Sequence, residues 1–183
     1  MRAAIIGVVV VLALLGASLP ARAIDAFFGT FVGAAELIDV VTGEKQQRDV
    51  VTVIQRHGEA GFRIDWQTVV RTGGRRDVPG VRFLVRSAAF EPVRGGGYYV
   101  QAADYDPFTV RETLEPMAGD ALAWATVDGP DLHLYVFAIS EAGGAELQHH
   151  RRRLTDDGMT LVYQGIIDGR VTTRATGQLV RVD

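Results

Sequence analysis

The chain has 183 residues, no cysteine and a formal net charge of −3. That balance excludes a general nucleic-acid binder, which needs a basic footprint, and offers no overall attraction to anionic lipid. The length suits one domain with a sizeable core, and without cysteine neither a disulfide nor a thiol nucleophile is available.

Residues 1–23 read as a secretory signal peptide. Arg2 supplies the positive start, AAIIGVVVVLALLGA the apolar run, and Ala21-Arg22-Ala23 the small-x-small cleavage pattern. The run is close to the lower limit for spanning a bilayer, and Pro20 with the cleavage pattern favours removal over a retained anchor. No cysteine is present to carry a lipid. Taking residues 1–23, with Arg2 and Arg22, from 183 residues and 19 basic side chains leaves 160 residues with 17 basic and 22 acidic ones. The expectation is one β-barrel domain over residues 24–183, periplasmic or secreted from a bacterial envelope, folding without disulfides and retaining no membrane span.

The rest reads as strands and turns. AFFGTFVGAAELIDVV, RDVVTVIQRHG and GFRIDWQTVVRTGG come first, then VRFLVRSAAF and GGYYVQAAD. ALAWATV, DLHLYVFAIS, AELQHHRRRL, MTLVYQGII and RVTTRATGQLVRV complete the chain. Each is rich in Val, Ile, Thr and aromatic residues and is bounded by Gly, Asp or Pro. YDPFTVRETLEPM is the exception. It accommodates either a short helix over 107–115, with Asp106 as cap and Pro107 in the first turn, or an irregular crossing loop.

DGPD, SEAGG, TDDG and DG are short enough to be hairpin turns, so successive strands are antiparallel neighbours. An open meander this long would leave exposed edges. The fold class is therefore all-β, an up-and-down antiparallel meander of about eight to ten strands closed into a barrel.

Two hairpins allow pairings to be written. A tip at Gly129-Pro130 sets Trp124 opposite Tyr135. A two-residue turn at Asp168-Gly169 sets Ile166 opposite Val171 and Val162 opposite Ala175, all inward, with Tyr163 against Arg174 outside.

LQHHRRRLTDDGM holds two of the four histidines beside three consecutive arginines. On a strand, neighbours point to opposite faces, so His149 and His150 cannot jointly bind one metal and the arginines cannot form one continuous patch. A type I turn with a G1 bulge at TDDG pairs Thr155 with Met159 and Arg152 with Val162. Leu154, Arg152, His150 and Gln148 then face inward. A two-residue Asp157-Gly158 turn would instead send Arg153, Arg151 and His149 inside. The first is preferred because it buries fewer charges. An inward Arg152 and His150 need partners or a polar ligand; a carboxylate such as Glu36 closing one barrel end is the ligand-free alternative.

Gly29-Thr30-Phe31, at the head of a glycine-broken apolar strand, resembles the first-strand Gly-x-Trp signature of the lipocalin-like (calycin) barrels, with Phe in place of Trp. In that superfamily the tryptophan packs across the closed end, under an arginine from near the last strand. The matching residues are Phe31 and Arg181. The resemblance implies a cup-like up-and-down barrel, often with an apolar internal site, and names no ligand.

His133 and Tyr135 share one strand face, beside Trp124 on the neighbouring strand, and with Arg152 and His150 they make up the candidate ligand-binding set. His57 lies in a turn, and Trp66 reads as wall or core packing. Glu36, Asp39, Asp65, Glu112 and Glu115 have no spacing that demands a carboxylate pair. Ser18, Ser87 and Ser140 lie in no nucleophile elbow. Glycines 95–97 precede no helical pattern and form a turn rather than a phosphate loop. No catalytic residue, metal or cofactor is assigned. The leading expectation is an exported barrel binding an apolar or amphipathic small molecule with a polar anchor. The alternatives are a side-chain-filled envelope barrel acting through protein contacts, and a calycin-like cyclase or isomerase using His133, Tyr135 or His150.

Overall fold

The computed structural model describes residues 23–71, 83–93, 97–102, 115–140 and 143–182. Ten strands follow one another: β1 (Gly29–Asp39), β2 (Lys45–His57), β3 (Gly61–Val70), β4 (Phe83–Pro92), β5 (Tyr98–Gln101), β6 (Leu122–Asp128), β7 (Asp131–Ile139), β8 (Ala145–Leu154), β9 (Gly158–Ile167) and β10 (Arg170–Arg181). Each pairs antiparallel with its neighbours, and β1 pairs with β10, so the meander closes on itself; among the described residues the β4–β5 ladder is short, running from Phe90 to Pro92. This is the closed up-and-down barrel that the first-strand resemblance implied. Most of the signal-peptide segment, and the 107–115 helix apart from Glu115, lie outside the described residues. Directly after Glu115, Pro116–Ala118 form a 3-10 turn. Among the described residues no helix is long and apolar enough to cross a membrane.

One end is shut. The 3-10 segment Ala23–Phe27 lies across it and buries Ile24 and Phe27 completely. Inside, Phe62 stacks on Phe90 with ring centroids 4.9 Å apart and meets Tyr99 edge-on at 5.1 Å. Leu132, Met159 and Leu179 fill the space between. Such aromatic burial is the largest single apolar contribution in a core of this kind.

The last turn forms as expected. Asp168 and Gly169 both have positive φ, 49° and 77°, the conformation of a two-residue hairpin turn whose twist matches its strands. Ile166 faces Val171. Beyond that pair the expected register fails. The ladder shifts by one residue between Val171 and Thr173, so Tyr163 faces Ala175 and Val162 faces Thr176. The shift sends Tyr163 inward and Val162 outward, with Ile166 on Val162's outer face, the reverse of the expectation, because one extra residue in a strand exchanges its faces. The β8–β9 turn differs as well. Leu154 pairs with Met159 and Arg152 with Leu161, which leaves Asp156-Asp157 at the tip rather than a G1 bulge. The inward set of β8 is still Leu154, Arg152, His150 and Gln148, since the two one-residue shifts restore the original parity.

Candidate functional site in the barrel interior

Towards the open end the inner wall changes from apolar to polar. On β8 the inward residues are, from the mouth downward, Glu146, Gln148, His150 and Arg152, because residues two apart share a strand face. Arg48 on β2, Trp66 on β3 and Arg86 on β4 face the same space, Trp66 standing opposite both Thr52 and Arg86.

Arg152 is the most constrained of these groups. It is 2 % exposed, lies between the buried Leu132 and Leu161, and its Nε and Nη1 have no hydrogen-bond partner. Its guanidinium carbon sits 5.9 Å from the ring centroid of Trp66. Burial pushes its pKa down to about 10, so it remains a cation at neutral pH. Among the described residues no carboxylate pairs with it. Glu36, the alternative considered above, lies on the outer face and accepts from Lys45 and Gln47.

His150 is one step nearer the mouth, between Leu134 and Tyr163. Its ring lies 4.8 Å from that of Tyr163 and 5.9 Å from Trp66, and its buried Nε2 has no partner. Burial, reinforced by the positive charge of Arg152, holds its pKa at about 3, so the imidazole is neutral at pH 7. Burial also raises the Tyr163 phenol, which hydrogen-bonds Thr173. Among the described residues that face the interior there, arginines outnumber carboxylates. Arg48, Arg86 and Arg152 face Glu146, which accepts from Gln148, and at the rim Asp39, which accepts from the amides of Val41 and Thr42.

Above this layer lies a cup of about 430 Å³. Its lining includes Trp66, Arg86, Gln101, Glu146 and Gln148, with Ala88, Ala121, Ala123 and Ala138 as its small apolar part. Arg152 and His150 do not line it; Trp66 touches both the cup and these two residues.

The other candidates are elsewhere. His133, Tyr135 and Trp124 stand on the outer wall, with His149. Trp124 stacks on Tyr135 at 5.2 Å, Tyr135 on His149 at 4.6 Å, and His133 Nδ1 lies 2.9 Å from His149 Nε2. These rings cannot share a site with Arg152 and His150, because the sheet separates them. The same placement puts His133 and Tyr135 on the opposite side of the sheet from His150. Gly29, Phe31 and Arg181 do come together at the closed end, where Arg181 also donates to the carbonyls of Ala26 and Phe28.

Arg48, Trp66, Arg86, Glu146 and Tyr163 were not singled out from the sequence as site residues. A signal for some of them existed: Phe62-x-Ile64-x-Trp66 and Phe90-x-Ala88-x-Arg86 each run from apolar to polar along one face.

Fold and interior together define a closed ten-stranded up-and-down barrel with a plugged end and a polar-walled cup. The chain is similar in fold to the S-type phycobiliprotein lyase CPES from Guillardia theta, with a TM-score of 0.52, 10 % identity, and coverage of 90 % of this chain and 94 % of that one. A redesigned β-barrel, mFAP1, solved bound to DFHBI, aligns over 88 % of this chain and all of its own, with 12 % identity and a TM-score of 0.38. No family model matches the chain. No curated protein matches it.

Proposed function

We propose that this is an exported, periplasmic or secreted protein that binds an apolar or amphipathic small molecule inside its barrel. The cup carries the reading. Its volume of about 430 Å³ falls within the usual range for small-molecule sites, and it combines small apolar walls with a few convergent polar groups. Arg152 and His150, below it, are the polar anchor. Native mass spectrometry of the protein purified gently from the envelope of its host tests this. A reproducible mass excess that disappears on denaturation is the expected result. A bare mass, together with no uptake of the neutral apolar dye N-phenyl-naphthylamine, overturns it.

One observation favours the second reading, action through protein contacts. Phe83 on the outer face of β4 is 63 % exposed. Replacing it by Ser would abolish such contacts and leave dye uptake unchanged.

A further inference from the structure

We infer that Arg152 and His150 form a carboxylate subsite beneath the cup, closed by Trp66, and that the ligand is an amphipathic acid whose head displaces the indole. This rests on the cup being a ligand site.

Three observations carry it. First, Arg152 is 2 % exposed, lies between leucines, and has unfilled donors at Nε and Nη1. A buried cation without an anion is expensive to keep, so an anion that supplies the missing contacts gains more there than at the surface. Second, the neighbouring His150 Nε2 is also buried and unfilled, and two residues along one strand place both groups on the same face. With its proton on Nε2, a neutral His150 donates to the same carboxylate. Third, the partition between this pair and the cup is Trp66.

The present partner of Arg152 is thus a ring face. A cation–π contact is weaker than a charge-assisted hydrogen bond to a carboxylate, so the exchange favours the acid. Room for the displaced indole exists in the same cup, where Ala88, Ala121, Ala123 and Ala138 supply no bulk. The apolar body of the ligand then occupies the cup and its head lies below. Arg86 and Arg48, farther out, add positive potential that draws an acid in.

The test uses a Trp124→Phe protein, in which Trp66 is the remaining tryptophan. Bound N-phenyl-naphthylamine reports occupancy of the cup, and dodecanoate and dodecanol compete for it. Both should displace the dye. Arg152→Met should weaken dodecanoate roughly 10- to 100-fold and leave dodecanol unchanged. If Arg152→Met does not fold, His150→Gln serves, with a smaller loss confined to the acid. Fluorotryptophan at Trp66 should give a fluorine NMR resonance with dodecanoate distinct from that with dodecanol. Equal affinity of parent and variant for dodecanoate overturns the subsite. Identical resonances with acid and alcohol overturn the gate. Failure of the dye itself to bind overturns the cup reading, and the inference with it.

Discussion

Arg181 lies over Phe31, its guanidinium carbon 4.7 Å from the ring centroid, while the two residues are direct partners across the β1–β10 seam that closes the barrel. The same side chain donates to the carbonyls of Ala26 and Phe28, so it ties the last strand to the 3-10 segment that plugs the end. Arg181→Ala should therefore destabilise the protein by about 1–2 kcal/mol, through lost hydrogen bonds and a lost cation–π contact at a solvent-accessible site. Urea denaturation measures it. Hydrogen exchange should quicken first at residues 24–28, and uniform quickening would contradict the plug assignment.

Arg152→Met should raise stability while lowering affinity for acids. The substitution removes a buried, incompletely bonded cation and keeps an apolar side chain of comparable length. Replacing buried charge by well-packed apolar groups is often neutral or stabilising by about 1–4 kcal/mol. In a chain of this size each kcal/mol moves the melting midpoint by roughly 2–4 °C. A fall of several degrees would instead mean that the arginine holds the core together.

Stability should also depend on His150 in a defined pH window. Its pKa falls from 6.5 to about 3 on folding, under burial and the charges of Arg152, His149 and Arg86, with the Tyr163 ring packed beside it. Between these values the unfolded chain holds the proton and the folded protein does not. Stability therefore rises with pH through the window, and on acidification it is lost from about pH 6.5 downward, by up to about 1.4 kcal/mol per pH unit. The lowered pKa of His149 acts with the same sign. Comparing urea midpoints of the parent and His150→Gln from pH 4 to 7 isolates the His150 share, because other groups titrate alike in both. Parallel curves would show that His150 is charged in the folded state.

The outer ring column should matter for stability and not for binding. A double-mutant cycle on Trp124→Ala and Tyr135→Ala should give a coupling of about 0.5–1.5 kcal/mol, as for other stacked aromatic pairs. His133→Ala should leave dodecanoate affinity at the parental value. A marked loss on that substitution would place His133 inside, against the register of β7.

Much of this molecule could be read along the chain. Strand runs and hairpin turns are local or compositional signals, the Phe31–Arg181 closure followed from the first-strand resemblance, and a strand's alternation of faces put Arg152 and His150 on one side together. The outward placement of Trp124, Tyr135 and His133 was not legible, because half-polar alternation looks the same on either face of a wall. The one-residue shift between Val171 and Thr173 was not legible either. It reversed Tyr163 and Val162, and only a second shift, at the β8–β9 turn, kept Arg152 inside.

What the sequence by itself determined is the meander, its turns and its closure, since each follows from side-chain periodicity and from the few residues that tolerate tight turns. Beyond the Trp124–Tyr135 and Ile166–Val171 pairs, the tertiary structure alone decided register, and with it the meetings across the barrel. A slip of one residue changes little in the local pattern yet exchanges the faces of a strand, and closure then selects the register that buries Phe62, Leu132 and Leu161. The contact of Trp66 with Arg152 arises in the same way. The two residues lie far apart in the chain, and it is the curvature of the closed wall that sets one against the other.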